Sequence, residues 1–355
     1  MTTGAGPQQL AEGQLGVALL HIERGDLVEA AHLVGQVVEG GVSTGANASL
    51  FHGAPGLEFV LSRAGQDTRS VRDATDRVVR ARLGAAQEQG RSGVLPTPAQ
   101  FDLIRGLTGL GAVLLTRETT SPLLPQILAY LVRLAWPVDF TGHEVPGWWS
   151  STGPCDEEMP GGHANLGVAH GVAGPLALLS LAARRGYQVP GQMVAIEVMT
   201  GWLEQYRGGY WITLGNLSSG PEDTEAPSSR PSWCYGELGL LRSRHLACFA
   251  LGDSIRAAAV EAAAVDVLTD SRRLRLVTDA SLCHGWAGLL TVARSMASDS
   301  LAPDEFARPI SDIQSRLAHA IDQLDKPGFL EGRAGAQLTL DGHDTTGWTR
   351  ALLIN

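Results

Sequence analysis

The sequence predicts an all-α protein, an α/α toroid in which about seven inner helices are ringed by about seven outer ones. Three observations predict it. A G-x-x-G pair recurs seven times along the 355 residues, each time at the head of an apolar, helix-like stretch. Longer amphipathic stretches separate the copies, and alternating strand patterns with hairpin turns are nearly absent.

The glycine pairs begin at Gly13, Gly53, Gly106, Gly171, Gly236, Gly285 and Gly332, 40 to 65 residues apart. Self-similarity at such a period marks an array of supersecondary units. The stretches that follow the pairs, such as "HGVAGPLALLSLA" from His170, are rich in small residues and apolar all round, as a buried helix is. Between them, residues 27–40, 70–89, 121–137, 191–206, 253–270 and 306–325 carry apolar residues at helical spacing on one face. A short last segment, "GWTRALLIN", ends the chain. Each unit therefore reads as one inner and one outer helix. An open solenoid carries polar capping repeats, whereas the terminal copies here are as glycine-rich as the middle ones, which predicts closure into a ring. Glycine at the head of each inner helix points to close backbone approach or an unusual φ.

Composition bounds the partners. With 27 Lys and Arg against 37 Asp and Glu, the net charge of −10 is unsuited to nucleic acid or an anionic membrane surface. No apolar run approaches the roughly 20 residues of a membrane span, and the first residues lack the basic and apolar regions of a secretory signal. The expectation is a cytoplasmic protein with residues 1–355 in one domain. Its four cysteines, Cys155, Cys234, Cys248 and Cys283, are too few for a disulfide scaffold.

Aligning the copies on their first glycine makes positions comparable. The preceding residue is Glu12, His52, Arg105, His170, Tyr235, His284 or Glu331, polar or ionisable in every copy, and in a ring these converge on one mouth. One position earlier stand Cys234 ("SWCYG") and Cys283 ("LCHG"), in adjacent copies. Neighbouring repeats are neighbours in space, so two thiols and the His284 imidazole are expected to meet. Two Cys and one His with an open fourth position form a catalytic zinc set. The competing reading, two small buried hydrophobes, suits Cys155 and Cys248 better than this pair. Two thiolates already neutralise Zn²⁺, so the site suits activation of an incoming thiol more than hydrolysis.

At "SWCYG", "LCHG" and "GVAHGVAG" (167–174) the chain resembles the lanthionine synthetase C-like family, the cyclases of class I lanthipeptide biosynthesis. The resemblance covers the whole chain and implies an α/α toroid with one zinc on Cys234, Cys283 and His284. It implies addition of peptide cysteine thiols to dehydroalanine or dehydrobutyrine, forming thioether rings in a dehydrated precursor peptide, with a dehydratase as a working partner. It also assigns active-site roles to Asp102 ("FDLIRG"), His170 and Arg230. His170 suits proton transfer and Arg230 stabilisation of an enolate, with Asp102 steering the imidazole. Each has a bland alternative: Asp102 as a helix cap, Arg230 as a surface charge, His170 as a core histidine. Tyr235 is a weaker candidate for substrate contact, and His52 and His163 read as structural.

Two long loops, 137–167 and 208–236, carry Trp148, Trp149 and Trp211 with acidic patches, and are expected to form a peptide-binding rim. Two other functions stand beside the cyclase. One is a non-catalytic zinc protein that binds thiols or a partner. The other is a toroidal glycosidase using carboxylates among Asp102, Glu12 and Glu331.

Overall fold

The computed structural model describes residues 6–119, 121–206, 210–219 and 230–355. Along the chain, α1 (Gln14–Glu23), α2 (Leu27–Val38), α3 (Gly53–Arg63), α4 (Arg69–Arg91), α5 (Pro98–Phe101), α6 (Leu107–Leu115) and α7 (Leu124–Leu134) come first. Four strands follow, β1 (Pro137–Phe140), β2 (His143–Pro146), β3 (Ser150–Thr152) and β4 (Glu158–Asn165), then α8 (Ala173–Arg184) and α9 (Gln192–Gln205). After β5 (Trp211–Ile212) and α10 (Leu214–Ser219) run α11 (Glu237–Leu251), α12 (Ser254–Thr269), α13 (Ser271–Leu274), α14 (Trp286–Asp299), α15 (Asp304–Ala320) and α16 (Arg333–Asp341).

The seven helices that follow the glycine pairs are α1, α3, α6, α8, α11, α14 and α16. Each packs against the next, and α16 packs against α1, so the ring closes as expected. Their apolar, small-residue composition lets them be buried almost throughout: every residue of α6 is buried. The amphipathic helices α2, α4, α7, α9, α12 and α15 each pack on the inner helix before them and face outward with their polar side. Local signals start them. Asp26 and Asp253 cap α2 and α12 by accepting the Glu29 and Arg256 amides at 3.2 and 2.8 Å. Across the seam between first and last repeats, Arg24 pairs with Asp341 at 2.7 Å, and Lys326 bridges Glu12 and Glu331.

The last segment of the chain takes a different place from a seventh outer helix. Residues Trp348–Leu352 form a 3-10 helix, buried almost completely, that packs on α6. Arg63 at the end of α3 donates to Thr346 O, Arg185 after α8 to Asn355 O, and Arg242 of α11 to Ile354 O. A segment in contact with α3, α6, α8 and α11 at once must lie within the ring. It fills the end of the toroid at which the inner helices finish and reaches through the ring to residues that precede them, where Trp233 Nε1 donates to Leu352 O at 3.0 Å and Trp348 meets Phe329 edge-on at 5.7 Å.

The loop 137–167 is also more ordered than its composition suggested. β1 and β2 form a hairpin around Thr141 and Gly142, both at positive φ (54° and 83°), the arrangement of a tight two-residue turn. β3, β4 and β5 form a second small antiparallel sheet, with Ser150 opposite His163 and Ala164 opposite Ile212. The runs are too short and irregular for a two-residue alternation to stand out. Trp148 and Trp149 are fully buried and hold these sheets to the ring, Trp148 edge-on to Trp202 at 5.3 Å. They are core residues, which corrects their assignment to the rim. Trp211 is partly exposed and lies over buried His163 at 5.0 Å. The acidic stretch at 220–229 falls outside the described residues.

Candidate metal centre

A five-residue turn precedes most of the inner helices, and its shape explains their glycine pairs; Gly53 differs, opening α3 itself at φ 70°, where a Cβ would strike Ser43 O. In "SLCHGWAG" the Gly285 amide donates back to Ser281 O at 3.0 Å, and Gly288 reaches the same carbonyl at 3.2 Å. A Cβ on Gly285 would collide with the Ser281 amide and Asp279 Oδ1, and one on Gly288 with Leu282 O. Gly236 and Gly239 meet Ser232 and Trp233 in the same way. The first glycines of these two copies are extended (φ −110° and −85°), so close approach and not handedness selects glycine.

Backbone hydrogen bonds stitch successive turns together. Ala169 N donates to Cys234 O at 3.3 Å, Cys234 N to Cys283 O at 3.2 Å, Cys283 N to Leu330 O at 2.9 Å and Leu330 N to Ala11 O at 2.8 Å. Equivalent positions of neighbouring repeats are thus in direct register, and the two thiols meet. The ligand atoms of Cys234, Cys283 and His284 all lie within 4.8 Å of one another, the only such cluster among the described residues. Ligands on a tetrahedral zinc stand about 3.3–3.8 Å apart, from Zn–S and Zn–N bonds of roughly 2.3 and 2.0 Å. A soft two-sulfur, one-nitrogen donor set at this spacing fits Zn²⁺.

The electrostatics are those of a thiolate site. Cys234 is held well below the usual thiol range, chiefly by the Cys283 thiol that donates to it; burial opposes this, and His284 and the Ser232 hydroxyl add to it. Cys283 is pushed well above by the same sharing and by burial. The His284 imidazole is raised by its contact with Cys234, against burial, with Asp279 adding to the effect.

Next to this trio lies the second predicted group. His170 Nδ1 is 2.6 Å from Asp102 Oδ2. Asp102 is fully buried, and its Oδ1 accepts the Arg105 and Gly106 amides at 2.6 and 2.8 Å. It is therefore both the cap before α6 and the anchor of His170, so the two readings of this residue are compatible. With Nδ1 engaged, Nε2 is the nitrogen left for chemistry. The turn of His170 is tied to the metal ligands, because Val168 N donates to Cys234 O at 2.8 Å and the Tyr235 ring lies 6.1 Å from the imidazole. Arg230 acts electrostatically on both Cys283 and His284, and its buried Nε has no hydrogen-bond partner among the described residues.

Over the full span of residues 4–353 the chain matches the family model for lanthionine synthetase C-like protein. The chain belongs to that family. Two relatives place this LanC-like chain further. The nisin biosynthesis protein NisC of Lactococcus lactis subsp. lactis is 24% identical over 344 residues, covering 91% of this chain and 80% of the relative. The structure of a nisin cyclase superposes with a TM-score of 0.80 at 21% identity, covering 99% of this chain and 93% of that one, so the two share the toroid.

Other predicted residues lie as follows. Cys248 is buried, and burial pushes its thiol up to about 11. Cys155 is exposed in the turn between β3 and β4, which corrects its reading as a buried side chain. His52 sits against Asn47 at 3.0 Å, and burial lowers its pKa. The carboxylates a glycosidase would need are engaged elsewhere, Asp102 with His170, and Glu12 and Glu331 with Lys326. Sequence reasoning missed three side chains at this mouth. Asn165 donates to the Tyr235 hydroxyl at 3.0 Å, Asp279 faces His284 at 3.2 Å, and Lys326 pairs with Glu331. A signal existed. All three stand six residues before the first glycine of their copy, as do Asn47 and Arg230.

Proposed function

We propose that this LanC-like chain, one toroidal domain over residues 1–355, is a zinc-dependent lanthipeptide cyclase acting in the cytoplasm. Its substrate is a dehydrated precursor peptide, supplied by a dehydratase. The observation that carries this reading is the Cys234–Cys283–His284 cluster at the mouth of the ring, beside the Asp102–His170 pair. Cys234, Cys283 and His284 would hold the metal, and Zn²⁺ bound by them would supply acidification and orientation of an incoming peptide thiol.

The remaining steps belong to the chain. Asp102 fixes the His170 tautomer with the proton on Nδ1, so Nε2 accepts the proton that the substrate thiol gives up. The sulfur pair attacks the β-carbon of dehydroalanine or dehydrobutyrine. The C–S bond forms as the C=C π pair moves onto the α-carbon and its carbonyl, giving an enolate. Arg230, whose Nε lacks a partner among the described residues, stabilises that charge. His170 Nε2 then returns its proton to the α-carbon, so the addition is balanced with no group lost.

The test is incubation of zinc-loaded protein with a dehydrated peptide containing free cysteine, followed by thiol alkylation and mass spectrometry. Addition leaves the peptide mass unchanged and removes its alkylatable thiols. Thiols that persist at the level of a protein-free control would leave the non-catalytic zinc-binding reading in place. No helix among the described residues is long and apolar enough to cross a membrane.

A further inference from the structure

We infer that Asp279 is a positioning residue of the metal centre, one that sets which nitrogen of His284 faces the two thiols. The inference rests on the metal-site reading above. Asp279 lies five residues before His284 and is locked on three sides. Its Oδ1 accepts the Ser281 amide at 2.7 Å, its carbonyl accepts the Trp286 amide at 3.0 Å, and its Oδ2 stands 3.2 Å from His284 Nε2. Gly285 leaves the room this carboxylate needs, since a Cβ there would strike Asp279 Oδ1.

A carboxylate 3.2 Å from Nε2 favours the proton on that nitrogen electrostatically and leaves Nδ1 with its lone pair for the metal. This is the usual way in which a partner orients a ligating imidazole and raises its basicity.

The repeat supplies an independent argument. The residue six before the first glycine touches the residue just before that glycine in three copies: Asn47 with His52, Asp279 with His284, and Lys326 with Glu331. The turn therefore brings these two positions together whatever they are. Only in the copy that carries the ligand histidine is the partner a carboxylate, and only there does the pairing define a metal-binding tautomer.

The substitution Asp279→Asn separates the two jobs of the side chain. Asparagine keeps an oxygen for the Ser281 amide but turns an N–H donor toward His284. Two donors cannot face each other, so the imidazole proton moves to Nδ1 and blocks the ligand lone pair. Zinc affinity, read by competition with a chromophoric chelator, is expected to fall about 10- to 100-fold. Melting of the metal-free protein is expected to be unchanged. In the cobalt-substituted variant the thiolate-to-cobalt absorption per bound ion is expected to persist, because both sulfurs remain, while occupancy falls. Asn47→Ala is the control: it removes the same tie in another repeat and should leave zinc affinity within about twofold. The inference is overturned if Asp279→Asn binds zinc within twofold of the parent, or if Asn47→Ala loses as much. Cys283→Ala separates the premises, because retention of zinc by that variant refutes the metal site itself and not the role of Asp279.

Discussion

The two ends of the ring hold buried ionisable groups in opposite states of satisfaction. At the closed end, Arg242 is fully buried and donates to Asp299 at 2.7 Å, to Ile354 O and to His245 Nδ1 at 2.9 Å. His245 in turn reaches Glu261 at 2.8 Å. At the mouth, by contrast, His170 has one nitrogen engaged, Arg230 has a buried N–H without a partner among the described residues, and two thiols share a proton. Both ends bear the cost of burying charge. The closed end recovers it through neighbours in the fold and acts as a clamp on the tail, while the mouth leaves donors and acceptors for a substrate.

The comparison can be broken at its strongest point first. Cys283→Ala removes one of two thiolates and is expected to abolish stoichiometric zinc, measured by elemental analysis of purified protein, with ring formation lost alongside. A variant that keeps about one zinc per chain by that measure contradicts the ligand assignment. His170→Ala comes next. It is expected to retain zinc yet lower the rate of thiol consumption about 10²- to 10⁴-fold, the usual range for one acid–base group. At the closed end, Arg242→Ala takes both donors from the buried Ile354 carbonyl and leaves Asp299 with Arg184 alone, at 3.4 Å. A loss of about 3–5 kcal/mol in urea unfolding is expected, with zinc affinity per folded molecule unchanged.

Acid sharpens the same contrast. Burial lowers the His245 pKa to about 4, with Arg242 adding to the effect and Glu261 opposing it. An unfolded histidine binds its proton near pH 6.5. The unfolded chain therefore takes up that proton first, and the stability that neutral His245 contributes is complete above pH 6.5 and lost as pH falls toward 4. Unfolding curves collected across that window should show His245→Gln with a shallower decline than the parent. The smallest effect belongs to the rim. Arg105 pairs with exposed Asp156 at 2.9 Å and holds the turn that carries Cys155. Asp156→Ala should cost less than about 1 kcal/mol in thermal unfolding, as exposed pairs do, and should make Cys155 react faster with a thiol reagent.

Much of this was legible in the residues. A turn that folds back on itself within five residues excludes a Cβ at two fixed places, so it is written as G-x-x-G wherever it occurs. Its recurrence located the inner helices, and the register between copies paired Cys234 with Cys283. The partners of those residues were harder to find. Asp279, Asn165 and Lys326 share a position that the alignment contains, yet their roles depend on where each side chain ends, and a charge in a turn looks alike whether it meets solvent or a ligand. Trp148 and Trp149 misled for a related reason, because an aromatic pair in a long loop has the same composition on a rim and in a core.

The sequence by itself determined the closed ring, the helix-forming segments and the residues that converge on its mouth, because those follow from backbone geometry repeated at close range. Only the tertiary structure decided that the final segment enters the ring, that two small sheets fill the loop after α7, and that Asp102 serves a cap and a histidine together. Which apolar surface a short segment covers, and which two side chains meet, is set by the shape of the completed ring, and that shape exists only after all seven repeats have packed.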